Sequence, residues 1–364
     1  MPFTTSPIRL LASLVCCAAF ACSSPAPAAI TPAATGTTVQ ATGATAFRPI
    51  KLPDDDGPHA ALTEWWYYNG HVATDSGDTY SFHLVVFKRE ARGALQRPGY
   101  VAHVGITDHQ QRVFRYDQQV SVPAPAPPVP GAFDLQVGAV RAAGSNGTDR
   151  ISGGAGEYQL DLALHAAKPS VIHGDAGIVG VSPQESSYYY SRTRMAAAGT
   201  LTLGGRAVVV TGNAWMDHQW GDFSLQGAAG WDWYALQLDD GNDAMISVLR
   251  DSAGKVIAQY GTWVAPNGQV TAIKGDRLKA QPTGSWTSPA TRTVYPSGWN
   301  LDLADQKLAA RLSPVTPDQE MDTTNTTGKV YWEGAVDITA TRDGKPVAGK
   351  GYVELTGYRE RTNP

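Results

Sequence analysis

Acidic, imidazole and indole side chains lie close together in residues 212–223, which read GNAWMDHQWGDF. Asp217, His218, Trp215 and Trp220 fall within six residues of this segment. Titratable groups beside indole rings suit proton transfer on an apolar substrate, because burial shifts their pKa values away from those in water. The segment is therefore the first candidate for catalysis.

Strand geometry divides this cluster into two groups. Side chains on an extended strand point alternately to the two faces of the sheet. His218 and Trp220 are therefore predicted to share one face, and Trp215 and Asp217 the opposite face.

The same segment is one copy of an internal repeat. Residues 210–217, VTGNAWMD, align without a gap with residues 347–354, VAGKGYVE. Asp217 recurs as Glu354, which leaves open an architectural role in which the acid accepts a hydrogen bond from a loop amide. His218 recurs as Leu355, so only the first copy has an imidazole. This difference favours a special role for His218 over that of an ordinary packed histidine.

A looser echo aligns Trp66-Tyr67, followed by a DSGD turn and a strand, with Trp233-Tyr234, followed by a DDGN turn and a strand. Together the two similarities predict two related β units in tandem.

Strand signals dominate the chain, as short alternating or β-branched runs separated by turns rich in glycine and aspartate. The predicted strands are residues 80–88, 100–108, 158–165, 199–212, 231–238, 244–250, 256–264, 330–341 and 349–358. Residues 302–312 are the best candidate for a short helix. Because edge strands must be paired or closed, we predict an all-β fold of two tandem antiparallel β-barrels, residues 48–225 and 226–364. A small barrel holds either packed side chains or one apolar ligand.

The first 22 residues are typical of an export signal, with Arg9 as the only cation before an apolar run too short for a stable membrane anchor. The sequence AFAC, ending at Cys22, approximates a bacterial lipoprotein cleavage site, and ordinary signal cleavage is the alternative. Residues 23–47 carry no charge and are rich in Ala, Pro and Thr, which predicts a disordered tether. We expect an exported protein, lipid-anchored through Cys22 on the periplasmic side of the outer membrane.

Composition argues against several other functions. All three cysteines lie in the first 22 residues, so neither a disulfide framework nor a thiolate metal site is expected. The net charge is −4 and there is no basic block, which disfavours nucleic-acid binding. The sequence has no GxSxG, HExxH or glycine-rich phosphate motif. His83 and His103 are a weak metal pair, and we expect neither a metal nor an organic cofactor.

Several tryptophan- and tyrosine-rich blocks occur in an order that resembles the AttH-like branch of the carotenoid 1,2-hydratase (hydroxyneurosporene synthase) family. These blocks are EWWY at 64–67, the strand of His103, YYYS at 188–191, AWMDHQWG at 214–221, GWDW at 230–233 and GYVELTGY at 351–358. The resemblance extends over almost the whole chain after the tether. It implies a pair of lipocalin-like β-barrels with an apolar ligand site at or between them.

The resemblance also implies an activity, the hydration of an isoprenoid C=C bond without a cofactor, and related members close rings. His218 and Trp220 match the block that carries the essential histidine and tryptophan of the hydratases. The implied mechanism protonates the alkene from a carboxylic acid, stabilises the cation on the indole faces of Trp220 and Trp231, and captures it with water activated by His218.

Asp232 is the nearest candidate for the acid of the hydratases, between Trp231 and Trp233. By alternation it shares a strand face with Tyr234, and an apolar face would keep its carboxyl group protonated. A hydrogen-bonded aspartate at the start of a strand is the alternative.

The expected ligand contacts are the aromatic residues of these blocks and one histidine, namely Trp66, His103, Trp215, Trp220, Trp231, Trp233 and Tyr234. Such aromatic blocks often belong to a barrel core instead. Two functions remain open: an enzyme acting on a hydrophobic unsaturated molecule, and a non-catalytic carrier of an apolar ligand.

Overall fold

Alternating apolar and polar runs favour strands along most of the chain, and strands supply nearly all the regular structure of the computed structural model. The structure describes residues 48–89, 99–121, 129–180, 186–223 and 229–359. The predicted signal peptide, Cys22 and the tether lie outside these residues. No helix in the described ranges is long and apolar enough to cross a membrane.

The first sheet contains twelve antiparallel strands. In chain order they are β1 (Thr63–Ala73), β2 (Thr79–Arg89), β3 (Gly99–Asp108), β4 (Val113–Ser121), β5 (Phe133–Val137), β6 (Val140–Ser145), β7 (Thr148–Ala155), β8 (Tyr158–Ala166), β9 (Val171–Ile172), β10 (Ile178–Gly180), β11 (Ser186–Leu203) and β12 (Arg206–Gly221). Ten of them follow the order β4-β3-β2-β1-β12-β11-β8-β7-β6-β5, and β9 and β10 both pair with β11.

The second sheet contains ten strands, and a separate two-stranded sheet lies within the same part of the chain. In chain order the strands are β13 (Gly230–Leu238), β14 (Asp243–Arg250), β15 (Val256–Val264), β16 (Val270–Ile273), β17 (Leu278–Pro282), β18 (Ser285–Thr287), β19 (Val294–Pro296), β20 (Trp299–Leu303), β21 (Leu308–Pro314), β22 (Glu320–Thr323), β23 (Lys329–Arg342) and β24 (Lys345–Leu355). The second sheet has the order β16-β15-β14-β13-β24-β23-β21-β20-β17, with β22 on β23, and β18 pairs with β19.

The two sheets have the same topology. In each, the first strand pairs with the last, β1 with β12 and β13 with β24. Each sheet curves around its own apolar core, and we refer to them as the first and the second barrel. Trp66, Leu84 and Met216 lie in the core of the first barrel, and Tyr234 and Trp299 in that of the second. The predicted all-β fold of two tandem lipocalin-like barrels is confirmed.

The internal repeat is confirmed in β12 and β24, which occupy equivalent places in the two barrels. The looser echo is wrong by one residue. Asp217 lies opposite Tyr67 in the β1–β12 register, whereas Glu354 lies opposite Trp233 in the β13–β24 register. Tyr67 therefore corresponds to Trp233, and Trp66 to Asp232. Neighbouring aromatic residues in both copies made the shifted alignment look equally good.

The two barrels pack through the outer faces of these equivalent strands. A third apolar cluster contains Tyr67 and Trp215 from the first barrel and Trp233 and Tyr352 from the second. Two hydrogen bonds across this interface are reciprocal. His71 Nε2 lies 3.1 Å from Gly351 O, and Gln237 Nε2 donates to Ala214 O at 3.0 Å. His71 corresponds to Gln237 in the register above, and Ala214 corresponds to Gly351.

A buried ion cluster also joins the barrels. Asp243, at the start of β14, is fully buried and accepts bonds from three side chains of the first barrel. Lys168 Nζ lies 2.7 Å from Asp243 Oδ2, Thr193 Oγ1 2.9 Å from the same oxygen, and Arg194 Nη2 2.6 Å from Oδ1.

One prediction from the sequence is wrong, and another stays untested. The helix predicted at residues 302–312 is wrong: β20 ends at Leu303, a short 3₁₀ turn covers Ala304–Gln306, and β21 follows. Its apolar residues alternate and are buried in the second barrel, so a strand-like period was mistaken for a helical one. The domain boundary at residue 225 stays a prediction, because residues 224–228 lie outside the described chain.

Candidate functional site

The repeated acids meet where the barrels meet. Asp217 projects from the outer face of β12, and Glu354 from the outer face of β24. Glu333 on β23 lies directly opposite Glu354 in the strand register. Because equivalent faces of the two barrels pack together, the repeat places acids from both copies in one interface. We call Asp217, Glu333 and Glu354 the acid cluster.

Asp217 is held by three donors. Tyr189 OH donates to Oδ2 at 2.8 Å, Trp215 Nε1 donates to Oδ1 at 2.7 Å, and Ser191 Oγ also donates to Oδ1. Burial raises the pKa of Asp217 to about 7, although these donors act in the opposite direction. The acid thus orders an aromatic wall, and its partners are side chains rather than the backbone amide considered in the sequence analysis.

Glu333 is the most completely buried member of the acid cluster, with a relative exposure of 1%. Tyr67 OH donates to its Oε1 at 2.7 Å. Its other oxygen, Oε2, has no hydrogen-bond partner among the residues that the structure describes. Burial raises the pKa of Glu333 well above the usual range, and repulsion by Glu354 adds to the effect. This shift favours the protonated form of the carboxyl group, and Oε2 is the oxygen free to hold the proton.

Glu354 lies at the more exposed edge of the cluster. Trp231 Nε1 donates to its Oε2 at 3.0 Å, and burial raises the pKa of Glu354 to about 7. Both groups are half-buried. Trp231 therefore contacts the acid cluster, although not the interior of either barrel.

His83 faces the same interface from β2. Neither of its ring nitrogens has a hydrogen-bond partner within the described ranges, and the residue is 1% exposed. Its ring centroid lies 5.4 Å from that of Tyr67 and 6.4 Å from that of Tyr331. Burial lowers the pKa of His83 well below its usual value, so the ring is neutral. A buried neutral imidazole without a partner can bind a ligand hydroxyl or a water molecule.

His103, a predicted ligand contact, lies in this interface but is already hydrogen-bonded. Its Nδ1 lies 2.8 Å from Tyr331 OH and its Nε2 3.0 Å from Thr326 Oγ1. Both partners belong to the second barrel, so the ring connects the barrels.

Indole and phenol rings surround the acid cluster. Trp233 packs edge-on against Tyr67 at 5.4 Å and against Trp215 at 6.1 Å, and its Nε1 donates to Tyr189 OH at 3.1 Å. Of the predicted ligand residues, Trp215, Trp231 and Trp233 are therefore brought together here. Such ring faces can stabilise a nearby cation.

The alternation predicted for residues 215–220 is confirmed, and it separates His218 from the acid cluster. His218, Trp220 and Trp66 point into the first barrel. The His218 ring stacks on Trp66 at 4.5 Å, and its Nε2 lies 2.9 Å from Glu64 Oε1. Burial lowers the pKa of His218.

Asp232 and Tyr234 point into the second barrel, on one face of β13 as predicted. Arg250 Nη2 lies 2.6 Å from Asp232 Oδ2, and Tyr358 OH donates to Oδ1 at 2.7 Å. Both carboxyl oxygens of Asp232 are therefore already bonded to neighbouring side chains of the second barrel. Asp232 and His218 lie in different barrels, so the structure does not bring them into one site.

Sequence reasoning missed Glu333 as a site residue and considered His83 only as a metal ligand. Each is an isolated acid or imidazole in a buried stretch, His83 between Phe82 and Leu84 and Glu333 between Trp332 and Gly334. An isolated acidic or imidazole side chain within a buried run was the signal that the sequence offered. Both contact Tyr67, and the contact of Glu333 with it depends on packing between the barrels and has no local sequence pattern.

The pKa of Asp217 predicts a pH-dependent stability. An acid whose pKa is raised on folding contributes stability that is complete below its unfolded value, near 4, and is lost as the pH rises through about 7. Asn cannot ionise, so any stability that the substitution itself costs is the same at every pH. We expect the unfolding free energy of Asp217→Asn, relative to wild type, to rise by about 1–3 kcal/mol between about pH 5 and pH 8.

Urea denaturation at several pH values measures this difference. The buried histidines titrate in both proteins and cancel. Asp240→Asn is a suitable control. Partial desolvation raises the pKa of Asp240, but its bonds to Asn242 and Arg342 outweigh this effect and lower the pKa. The difference in unfolding free energy between Asp240→Asn and wild type should therefore be flat over this pH range. A flat difference for Asp217→Asn would contradict the assignment.

Comparison with known proteins finds relatives along most of the chain. The sequence model of the AttH-like family matches residues 43–358. A crystal structure of an AttH from Nitrosomonas europaea superposes with a TM-score of 0.77 and 29% identity, covering 86% of this chain and 99% of that one. Kievitone hydratase from Nectria haematococca has the same fold, with a TM-score of 0.70 and 18% identity over 86% of this chain and 95% of its own.

One curated relative is an enzyme. The dehydratase AsqC of Emericella nidulans is 22% identical over 219 residues, which are 57% of this chain. The match spans 61% of the length of that dehydratase.

Proposed function

Because this chain belongs to the AttH-like family, we propose that it adds water to a C=C bond of an apolar small molecule, or removes water in the reverse direction, at the acid cluster between the barrels. The observation that carries this proposal is Glu333, a buried carboxyl group with one unpartnered oxygen and a pKa that burial raises. The names of two relatives, a hydratase and a dehydratase, favour the same reaction class.

Glu333 is the proton donor in this scheme. Its Oε2 gives a proton to one alkene carbon, the π electrons form the new C–H bond, and the adjacent carbon becomes a cation. Tyr67 OH, which donates to Oε1, stabilises the resulting carboxylate. A general acid must hold its proton at the working pH, and the raised pKa of Glu333 meets this requirement.

The aromatic rings around the acid cluster stabilise the cation. Trp215, Trp233 and Tyr67 supply electron-rich rings in a buried apolar interface. A desolvated cation–π contact contributes about 2 kcal/mol per well-placed ring. This is a useful fraction of the barrier but not a sufficient one, so the acid remains the principal catalytic group.

His83 is suited to activate the water. A water molecule on one of its unpartnered ring nitrogens attacks the cation, the C–O bond forms, and the imidazole accepts the water proton. That proton then returns to Glu333, which restores both groups. No co-reactant other than water is consumed, and dehydration follows the same steps in reverse.

A cleft between the barrels lies along the same outer face of β1 that carries Tyr67. The cleft has a volume of about 220 Å³, and His71 and Gln237 are among the residues that line it. His71, Asn69 and Tyr67 alternate along the outer face of β1, and Asn69 Nδ2 donates to Tyr67 OH at 3.3 Å. At about 3.3 Å per residue, His71 lies roughly 13 Å from Tyr67 along the strand. An elongated apolar substrate, such as an isoprenoid chain, suits this geometry.

The interior of the first barrel is less suited to the carrier function. Tyr80, Ile106 and Leu201 help to line a gap there of only about 10 Å³, which is about the size of one water molecule. A carrier would need room for its ligand. We therefore favour catalysis at the interface over storage in this barrel.

Two measurements test the proposal together. Mass spectrometry of organic extracts from the purified protein identifies a bound apolar molecule, and incubation of that molecule in H₂¹⁸O follows the reaction. We expect ¹⁸O to appear in a new hydroxyl group of the product, or an alcohol to lose water. Tight binding of the ligand without turnover in either direction would instead support a carrier.

A further inference from the structure

A second cluster of chemically active side chains lies in the first barrel, remote in the chain from Glu333. His59 precedes β1, Glu64 lies on β1, and His218 lies on β12. One ligand atom from each residue falls within 4.8 Å of the other two. Glu64 Oε1 is the shared partner, 2.7 Å from His59 Nδ1 and 2.9 Å from His218 Nε2.

One tautomer of His218 leaves a free electron pair on Nε2, the nitrogen that faces Glu64. Tyr190 OH donates its only proton to Asp56 Oδ1 at 2.6 Å. His218 Nδ1 lies 3.3 Å from the same hydroxyl, so Nδ1 is the donor in the tautomer that bonds this oxygen. In a neutral ring Nε2 then carries no hydrogen, yet it faces a carboxylate oxygen. A cation between the two atoms removes the repulsion.

His59 has a similar arrangement. Its Nδ1 faces Glu64 Oε1, and its Nε2 lies 3.3 Å from Asp55 Oδ1. A carboxylate on the far nitrogen of a histidine is a common second contact of metal-binding imidazoles, because it fixes the ring and its tautomer. Both histidines therefore have a partner on the nitrogen that points away from Glu64.

The surroundings hold the three ligand atoms in place. Lys88 Nζ lies 3.4 Å from Glu64 Oε2, and the backbone N–H of His59 donates to both carboxylate oxygens, at 2.9 Å to Oε2 and 3.2 Å to Oε1. His59 stacks on Trp220 at 4.0 Å and His218 on Trp66 at 4.5 Å. The side chain of His59 is 17% exposed, so an ion can reach the cluster from solvent.

We propose that His59 Nδ1, Glu64 Oε1 and His218 Nε2 bind one divalent transition-metal ion, of which Zn²⁺ is the best match. Two imidazoles and one carboxylate are ligands that zinc takes at about 2.0–2.2 Å, with a fourth position left for water. The carboxylate and the rings must separate by a few tenths of an ångström to admit the ion. This site is independent of the function proposed for Glu333.

The test uses the full chain with Cys16, Cys17 and Cys22 alkylated, so that thiols do not bind metal. After incubation with Zn²⁺ and dialysis, we expect one zinc per chain by elemental analysis. His59→Ala should lose it, with the fold checked by circular dichroism. His165→Ala, which removes an exposed histidine of β8, should retain it.

A second variant tests the geometry while all three ligands remain. Asp55→Asn weakens the contact to His59 Nε2, and loss of such a contact lowers metal affinity by about 10–100-fold. Titration with Co²⁺, followed by visible absorption, should show this decrease and an altered spectrum.

Two results would overturn the metal site. One is zinc retention by wild type no greater than that of His59→Ala. The other is ¹⁵N NMR with excess Zn²⁺ in which both ring nitrogens of His59 and His218 carry protons, so that the rings and Glu64 share hydrogen bonds instead. Metal content is measured without substrate, so failure of the metal site leaves the proposal for Glu333 untouched. Absence of turnover would likewise leave the metal site untouched.

Discussion

Glu333→Gln is expected to lower kcat for water addition by about 10²–10⁴-fold, the usual contribution of a general acid. Gln has the same shape and can still accept the bond from Tyr67 OH, but it has no proton to give to the alkene. Substrate affinity should stay nearly unchanged, because Glu333 becomes negatively charged only during the proton transfer and not on substrate binding. Initial rates with the molecule identified by extraction measure the effect.

Glu157→Gln is a matched control, because it makes the same chemical change at an exposed position outside the acid cluster. It should keep wild-type kcat. Thermal denaturation should show that Glu333→Gln is folded, since it removes a raised-pKa acid rather than an ion pair. If Glu333→Gln kept full activity while Asp217→Asn lost it, the proton donor would be Asp217.

Asp243→Ala is expected to reduce the free energy of unfolding by about 3–5 kcal/mol, as is typical when one member of a buried ion cluster is removed. Asp243 is fully buried, and its loss leaves Lys168, Thr193 and Arg194 of the first barrel without their shared acceptor. Because these bonds cross between the barrels, the variant should also loosen the interface that contains the acid cluster. Urea denaturation measures the stability change.

Asp240→Ala, three residues earlier, is the comparison. Asp240 is exposed and bonds Arg342 at 2.7 Å, a kind of surface pair that contributes about 0–1 kcal/mol. Similar small losses for the two variants would show that the Asp243 cluster does not hold the barrels together. Faster proteolysis of Asp243→Ala under native conditions would support the loosening.

The fold was predictable because its signals are local. Alternation over residues 215–220 correctly assigned His218 and Asp217 to opposite faces. The repeat correctly identified β12 and β24 as equivalent strands of the two barrels. The aromatic echo failed by one residue, because Trp66-Tyr67 and Trp233-Tyr234 match by residue type while the strand register aligns Tyr67 with Trp233. Residue type alone does not determine which side chain faces its partner strand.

The candidate site was only partly predictable, since it depends on contacts between distant segments. Tyr67 and Glu333 are 266 residues apart, and no pattern near either one indicates the other. The repeat did contain the relevant fact, that an acid recurs at Asp217 and Glu354. It was interpreted as a sign of architecture, because the sequence could not show that the two copies face each other. Arg250, which bonds Asp232, was missed for the same reason.

The reciprocal bonds of His71 and Gln237 are those of an isologous dimer, in which each subunit offers the same surface to the other. Here both surfaces belong to one polypeptide, as in the product of a fused gene duplication. A homodimer must carry every substitution twice, whereas a fusion can vary one copy alone. In the strand registers, Glu333 corresponds to Ser191 and His83 to Met245. Under the mechanism proposed for Glu333 and His83, the symmetry-related position lacks both the acid and the base, so the fusion has a single reactive side and can hold an asymmetric molecule in one orientation.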